Sequence, residues 1–72
     1  MNIDEVKIGE KYIYQIPYNK GSVECIAERF DFSYGKDCKR IIFSYIPSFW
    51  KDNEKFRTSE SFNTIEVERY IF

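Results

Sequence analysis

Apolar and polar residues alternate along this chain in short runs, each closed by a cluster of turn-forming residues, and a period of two predicts strands. In KYIYQIPY (11–18), Tyr12, Tyr14, Ile16 and Tyr18 share one face, and Ile13, Gln15 and Pro17 share the other. Gly9 precedes this run as a turn residue, and Asn19 and Gly21 in YNKG can both take positive φ after it. In SVECIAERFDF (22–32), Val23, Cys25 and Ala27 alternate with Glu24, Ile26 and Glu28. Phe30 and Phe32 fall on the opposite parity, which predicts a bulge or bend near Glu28–Phe30. SYGKDCK forms the second turn. RIIFSYI (40–46) is apolar on both faces, Ile41, Phe43 and Tyr45 against Ile42 and Ile46, which predicts a central strand and the most buried segment. WKDNEK is the third turn, and FRTSESF (56–62) is a more polar strand after it. NTIEVERYIF (63–72) closes the chain with Ile65 and Val67 in a last short strand and ERYIF as strand or a single helical turn, and a helix over TSESFNTIEVERYIF (58–72), capped by Ser59 or Ser61, competes with it. The β-branched Thr64, Ile65, Val67 and Ile71 favour the strand.

These runs predict one all-β domain over residues 1–72. Its strand count and turn spacing, with the early VKIGEKY element, resemble the small five-stranded antiparallel SH3-like barrel from Val6 to about Val67. An OB-like barrel, or an open antiparallel sheet with a C-terminal helical turn, is the alternative. The ALYDY pattern of proline-peptide-binding SH3 domains is absent, so that recognition mode is not implied. An architecture of this kind leaves function to be argued from individual sites.

Composition narrows the chemistry. A chain of 72 residues buries only about 60% of its unfolded surface, and an aromatic content of 19% offsets the thin core with large rings. Eleven basic and twelve acidic side chains give a net charge of −1, which argues against a dedicated duplex-DNA binder and against a wholesale DNA mimic. There is no histidine, so no Ser–His–Asp triad or Cys–His pair can form. Cys25 and Cys38 alone make a poor zinc site and are expected as free thiols, one in the core and one in a turn. Gly9, Gly21 and Gly35 form neither a P-loop nor a dinucleotide fingerprint. Glu66 and Glu68 would share a strand face and could pair as acid and base, although a solvated face explains them as well. The expectation is a protein that is not an enzyme and takes no cofactor or metal. MNIDEVKIGEKY has no apolar signal segment, and no apolar run approaches the ~20 residues of a membrane span. A cytoplasmic protein with no membrane partner is expected.

Three groups of residues are equipped for binding. In SFWKDNEKFR, Phe49 and Trp50 end one strand, so parity points them to opposite faces: one ring caps the core and the other, Trp50, stays exposed as an anchor. Lys51, Lys55 and Arg57 accompany them. Among the tyrosines, Tyr14 and Tyr45 are expected in the core and Tyr18 and Tyr34 on the surface beside turns. Finally Lys36, Lys39 and Arg40 could join Lys51, Lys55 and Arg57 in a basic strip beside aromatics, a recipe for single-stranded nucleic acid. The expected partner-binding set is Trp50, Phe49, Lys51, Lys55, Arg57, Tyr18 and Tyr34. The leading expectation is a non-enzymatic protein-interaction module that binds another protein or a second copy of itself. Abundant Lys, Asn, Ile, Phe and Tyr, residues of AT-rich codons, suggest one version of it: a phage or mobile-element inhibitor that blocks a bacterial replication, transcription or defence protein. The alternative is a small-barrel protein that binds single-stranded nucleic acid.

Overall fold

The alternating runs form the strands that their period predicts, and their apolar faces join in one layer. A computed structural model describes residues 1–18, 21–50 and 53–72. Four antiparallel strands, β1 (Lys11–Gln15), β2 (Ser22–Phe30), β3 (Arg40–Tyr45) and β4 (Thr58–Asn63), lie in the order β1-β2-β3-β4. A short helix, α1 (Thr64–Tyr70), follows β4. The sheet is open. Among the described residues there are four strands and no closure, in place of the five-stranded barrel expected from the turn spacing, and the open antiparallel sheet with a C-terminal helical turn describes the fold.

One face of the sheet carries the core. Tyr14, Cys25, Ala27, Ile41, Phe43, Tyr45 and Phe62 are buried there. Their rings meet edge to face: Tyr14 lies 5.1 Å from Tyr45 and 5.0 Å from Phe62, and Phe43 lies 5.2 Å from Phe62. Ile3 and Val6, in and after the 3₁₀ turn Ile3–Glu5, cover this face together with Val67 and Ile71. As expected, β3 is the most buried strand and Tyr14 and Tyr45 are core residues. The register of β2 against β3 shifts between Ala27 and Arg29, where the change of parity predicted a bulge. VKIGEKY is not wholly strand: Lys7–Glu10 turns, with Gly9 at φ 92°, before β1 begins at Lys11.

The C-terminal segment overturns the strand expected there. Asn63, not Ser59 or Ser61, caps α1. Its side chain accepts from the Glu66 backbone at 2.8 Å while the Glu66 carboxylate accepts from the Asn63 backbone at 3.0 Å, a reciprocal capping box. Val67, within α1, and Ile71, the extended residue that ends it and bridges Tyr14, are then both buried in the core. Burying that pair outweighs the weak helix propensity of the β-branched residues. The helix spends Glu66 on the cap and leaves Glu68 exposed, so the two do not form the paired carboxylates that a strand would have made. Beyond α1, Phe72 exchanges two 2.8 Å backbone hydrogen bonds with Ile13, covering part of the outer edge of β1.

Candidate functional site

The connection from β3 to β4 gathers three rings outside the core. Pro47 ends the extended run, having no N–H to donate to a ladder. The chain then makes the 3₁₀ turn Ser48–Trp50, in which the Trp50 N–H donates to the Pro47 carbonyl at 2.9 Å. A second 3₁₀ turn, Glu54–Phe56, is capped by the Asn53 side chain, which accepts from the Lys55 N–H at 3.2 Å. These turns bring Trp50 and Phe56 into a parallel stack with ring centres 3.8 Å apart and planes at 11°. Phe49 meets Trp50 edge-on at 5.2 Å.

This corrects the expectation for Phe49 and Trp50. Strand parity does not apply in a 3₁₀ turn, so the two rings pack against each other and neither caps the core. Phe49 is 83% exposed and Trp50 42%. With Phe56 they leave roughly 300 Å² of ring surface in water, comparable to the largest apolar patch of a typical monomer, about 300–600 Å². Phe56, expected to begin the strand FRTSESF, joins the cluster from the second 3₁₀ turn instead, because β4 does not start until Thr58.

The charged residues around the cluster differ in their freedom. Arg57 grips Glu54 through Nε at 2.7 Å and Nη2 at 3.0 Å and donates to the Ser44 hydroxyl at 3.2 Å. The Glu54 carboxyl is held below its ordinary value by that hydrogen bond to Arg57. Arg57 therefore braces the turn against β3 and offers no open fork to a partner. Lys55 is exposed beside the rings. Lys51 lies outside the described residues.

The strand register divides the other expected contact residues between the two ends of the sheet. Gln15 pairs with Ser22, and Tyr45 pairs with Cys25 and Thr58. The β1–β2 turn bearing the fully exposed Tyr18 thus lies at the same end as the Phe49–Trp50–Phe56 cluster. Tyr34 and the Lys36–Lys39–Arg40 group lie at the other end, beyond Phe30 and Arg40. The two basic groups are separated by the length of β3, roughly 17 Å for its five steps, and form no continuous strip.

At that second end lies a concavity of about 290 Å³ lined by Phe30, Phe32, Lys36, Lys39 and Arg40, with Asp31 and Cys38. Asp31 is nearly buried, accepting from the Ser33 backbone and hydroxyl at 3.0 and 2.6 Å and from the Ser61 hydroxyl. Those hydrogen bonds, with Arg40 nearby, hold its carboxyl down to about 2. Arg40 donates to Ser61 and lies 4.2 Å over the Tyr34 ring. Both cysteines are free: Cys25 is buried in the core, where desolvation pushes its thiol up to about 11, and Cys38 is exposed. Among the described residues no group of three or more His, Cys, Asp or Glu side chains is placed to hold a metal, and no helix is long and apolar enough to cross a membrane. Comparison with protein-family models, with curated proteins and with solved structures finds no match.

Proposed function

We propose that this protein is a non-enzymatic interaction module that binds another protein through the Phe49–Trp50–Phe56 cluster. The observation that carries this reading is a preassembled aromatic surface at one end of the sheet, with Trp50 locked by stacking yet 42% exposed. Aromatic anchors of this kind supply most of the energy at protein interfaces. A ring already fixed by its neighbours loses little conformational freedom on binding. Lys55 beside the rings supplies a polar rim. A narrower form of the proposal is an inhibitor that blocks a bacterial host protein, and it rests on composition alone.

The test is affinity capture from a low-GC bacterial lysate with the wild-type chain and Trp50→Ala side by side, followed by titration of any protein retained only by the wild type. Trp50→Ala should weaken that complex by about 2 kcal/mol or more, roughly thirtyfold, with the unfolding midpoint little changed. In the free protein, tryptophan emission should be red-shifted and quenched by iodide, and binding should shield it. Equal capture by both chains, or emission that stays quenchable in the complex, would remove the cluster from the interface.

A further inference from the structure

We propose that the concavity at the opposite end of β3 is a separate binding site for single-stranded nucleic acid, seating one base on Phe32 with its phosphates at Lys36 and Lys39. Three observations meet there. The first is stacking surface. Phe32 is 71% exposed, and Phe30 stands beside it with ring centres 6.2 Å apart and planes at 34°. Two rings so close and so tilted do not admit a base between them, which needs roughly twice the stacking distance. They form an angled shelf instead, with the free face of Phe32 as the platform. Every base has a π-face, so such a platform is tolerant of sequence.

The second observation is the charge of the walls. Asp31 is the one carboxylate among the lining residues, and its acceptor capacity is spent inward on Ser33 and Ser61. Arg40 lies within 4.0 Å of it and offsets its charge. Lys36 and Lys39 remain as the outward charges of the concavity. Lys36 makes no ion pair among the described residues, and Lys39 contacts Asp4 in a pair whose side chains are 58% and 64% exposed. An exposed pair of that kind contributes about 0–1 kcal/mol, so a phosphate can displace Asp4. Asp37 is exposed in the same turn but does not line the concavity. The positive field is therefore local, which is how a chain of net charge −1 can carry it.

The third observation is size and rigidity. A volume of about 290 Å³ lies at the lower limit of small-molecule pockets, about 300–1,000 Å³, which is room for one nucleotide and no more. The walls are set before any ligand arrives, because Arg40 is held between Ser61 and the Tyr34 ring and Asp31 ties the turn to β4. One stacked base and two phosphate contacts are weak alone. Continuation of the strand over the face of Tyr34 that Arg40 leaves uncovered gives a further stacking surface, and this favours a strand over a free nucleotide.

A fluorescein-labelled eight-nucleotide oligothymidylate, followed by anisotropy against the full chain between low and moderate salt, tests the site. Saturable binding is expected, weakening with salt at a log–log slope of about −1.4 for two phosphates. Phe32→Ala, at an exposed position that does not threaten the fold, should weaken binding about tenfold, within the range for one stacked base. Lys36→Gln should lower the slope by about 0.7. Trp50→Ala should leave the affinity unchanged, which separates this site from the aromatic cluster and lets either proposal fail alone. The proposal is overturned if no binding occurs at low salt, if Trp50→Ala and not Phe32→Ala abolishes it, or if thymidine monophosphate displaces the probe as effectively as unlabelled strand. The last result would mark a mononucleotide pocket.

Discussion

Replacing Phe43 by alanine tests the architecture at its most connected ring. Phe43 is wholly buried at the middle of the central strand β3, facing Phe62 at 5.2 Å and Tyr12 at 6.4 Å, both edge-on. In register it lies opposite Ala27, which is too small to fill the gap, and Glu60, whose carboxylate accepts from the Tyr45 hydroxyl at 2.9 Å and has no apolar surface to offer in place of the ring. The truncation removes most of a phenyl ring. A residual cavity of roughly 100 Å³ at about 24 cal/mol per Å³ costs about 2.4 kcal/mol, and the lost transfer energy brings the total to about 4 kcal/mol, within the range for buried Phe→Ala. For a chain of 72 residues the whole stability is about 4–11 kcal/mol, so the change removes a third of it or more. Urea unfolding followed by far-UV circular dichroism reads the effect. With a slope of about 1 kcal/mol per molar for so small a domain, the midpoint should fall by several molar or the variant should be unfolded in buffer. Phe32→Ala deletes the same atoms at an exposed position and should stay within about 0.5 kcal/mol of the wild type. If the two variants unfold within about half a molar of each other, Phe43 is not the centre of the core and the assignment of the inner face is wrong.

Three other outcomes follow from the geometry. Asn63→Ala should cost about 1 kcal/mol by removing the helix cap, seen in thermal melts, while Thr64→Ala at the neighbouring exposed position should have less effect. A thiol reagent should modify Cys38 at once and Cys25 only on the timescale of unfolding, because Cys25 is buried and its thiol is raised to about 11; two equally fast thiols would contradict its place in the core. Asp31 has its carboxyl lowered from 3.8 to about 2, so its stabilising contribution is full above the ordinary value and is lost as pH falls through that window. The difference in urea midpoint between wild type and Asp31→Asn should therefore narrow between pH 4 and pH 2, and a difference constant over that range would refute the role of its hydrogen bonds to Ser33 and Ser61.

Residues whose environment is set by a neighbouring strand were legible from the sequence. The alternation Val23–Cys25–Ala27, the doubly apolar run at Arg40–Ile46 and the parity break after Glu28 each report a two-residue period, and the sheet keeps that period. What escaped was decided by local backbone signals that propensity outvoted. Asn63 and Glu66 stand at capping-box spacing, and Val67 falls on the core side of the turn they begin. Together they specified a helix where four β-branched residues argued for a strand. Pro47 carried the same kind of information for Phe49 and Trp50: the strand stops there, and with it the rule that neighbours face opposite sides. The shelf at the other end was written in the spacing of Phe30, Phe32 and Tyr34 beside Lys36, Lys39 and Arg40. Reading the phenylalanines only as evidence for a bulge concealed that they end up in water.

The two candidate sites are a consequence of how thin this core is. Helix and N-terminal turn cover only the inner face, and the buried rings are those the strands themselves turn to it: Tyr14, Phe43, Tyr45 and Phe62. The aromatic residues of the two connections flanking β3 have no second layer to enter. At one end they stack on each other, Trp50 on Phe56 with Phe49 at the edge, and at the other they rise beside lysines around a braced Arg40. Each end is anchored to the outer face of the same pair of strands, Arg57 through Ser44 on β3 and Asp31 and Arg40 through Ser61 on β4. Loss of either brace should therefore disorganise its own end and leave the other standing, because the strands between them are held by the inner face, to which neither brace belongs. The chemistry at the ends differs accordingly: an apolar stack with its arginine spent on Glu54 suits a protein surface, and a shelf with outward lysines suits a polyanion.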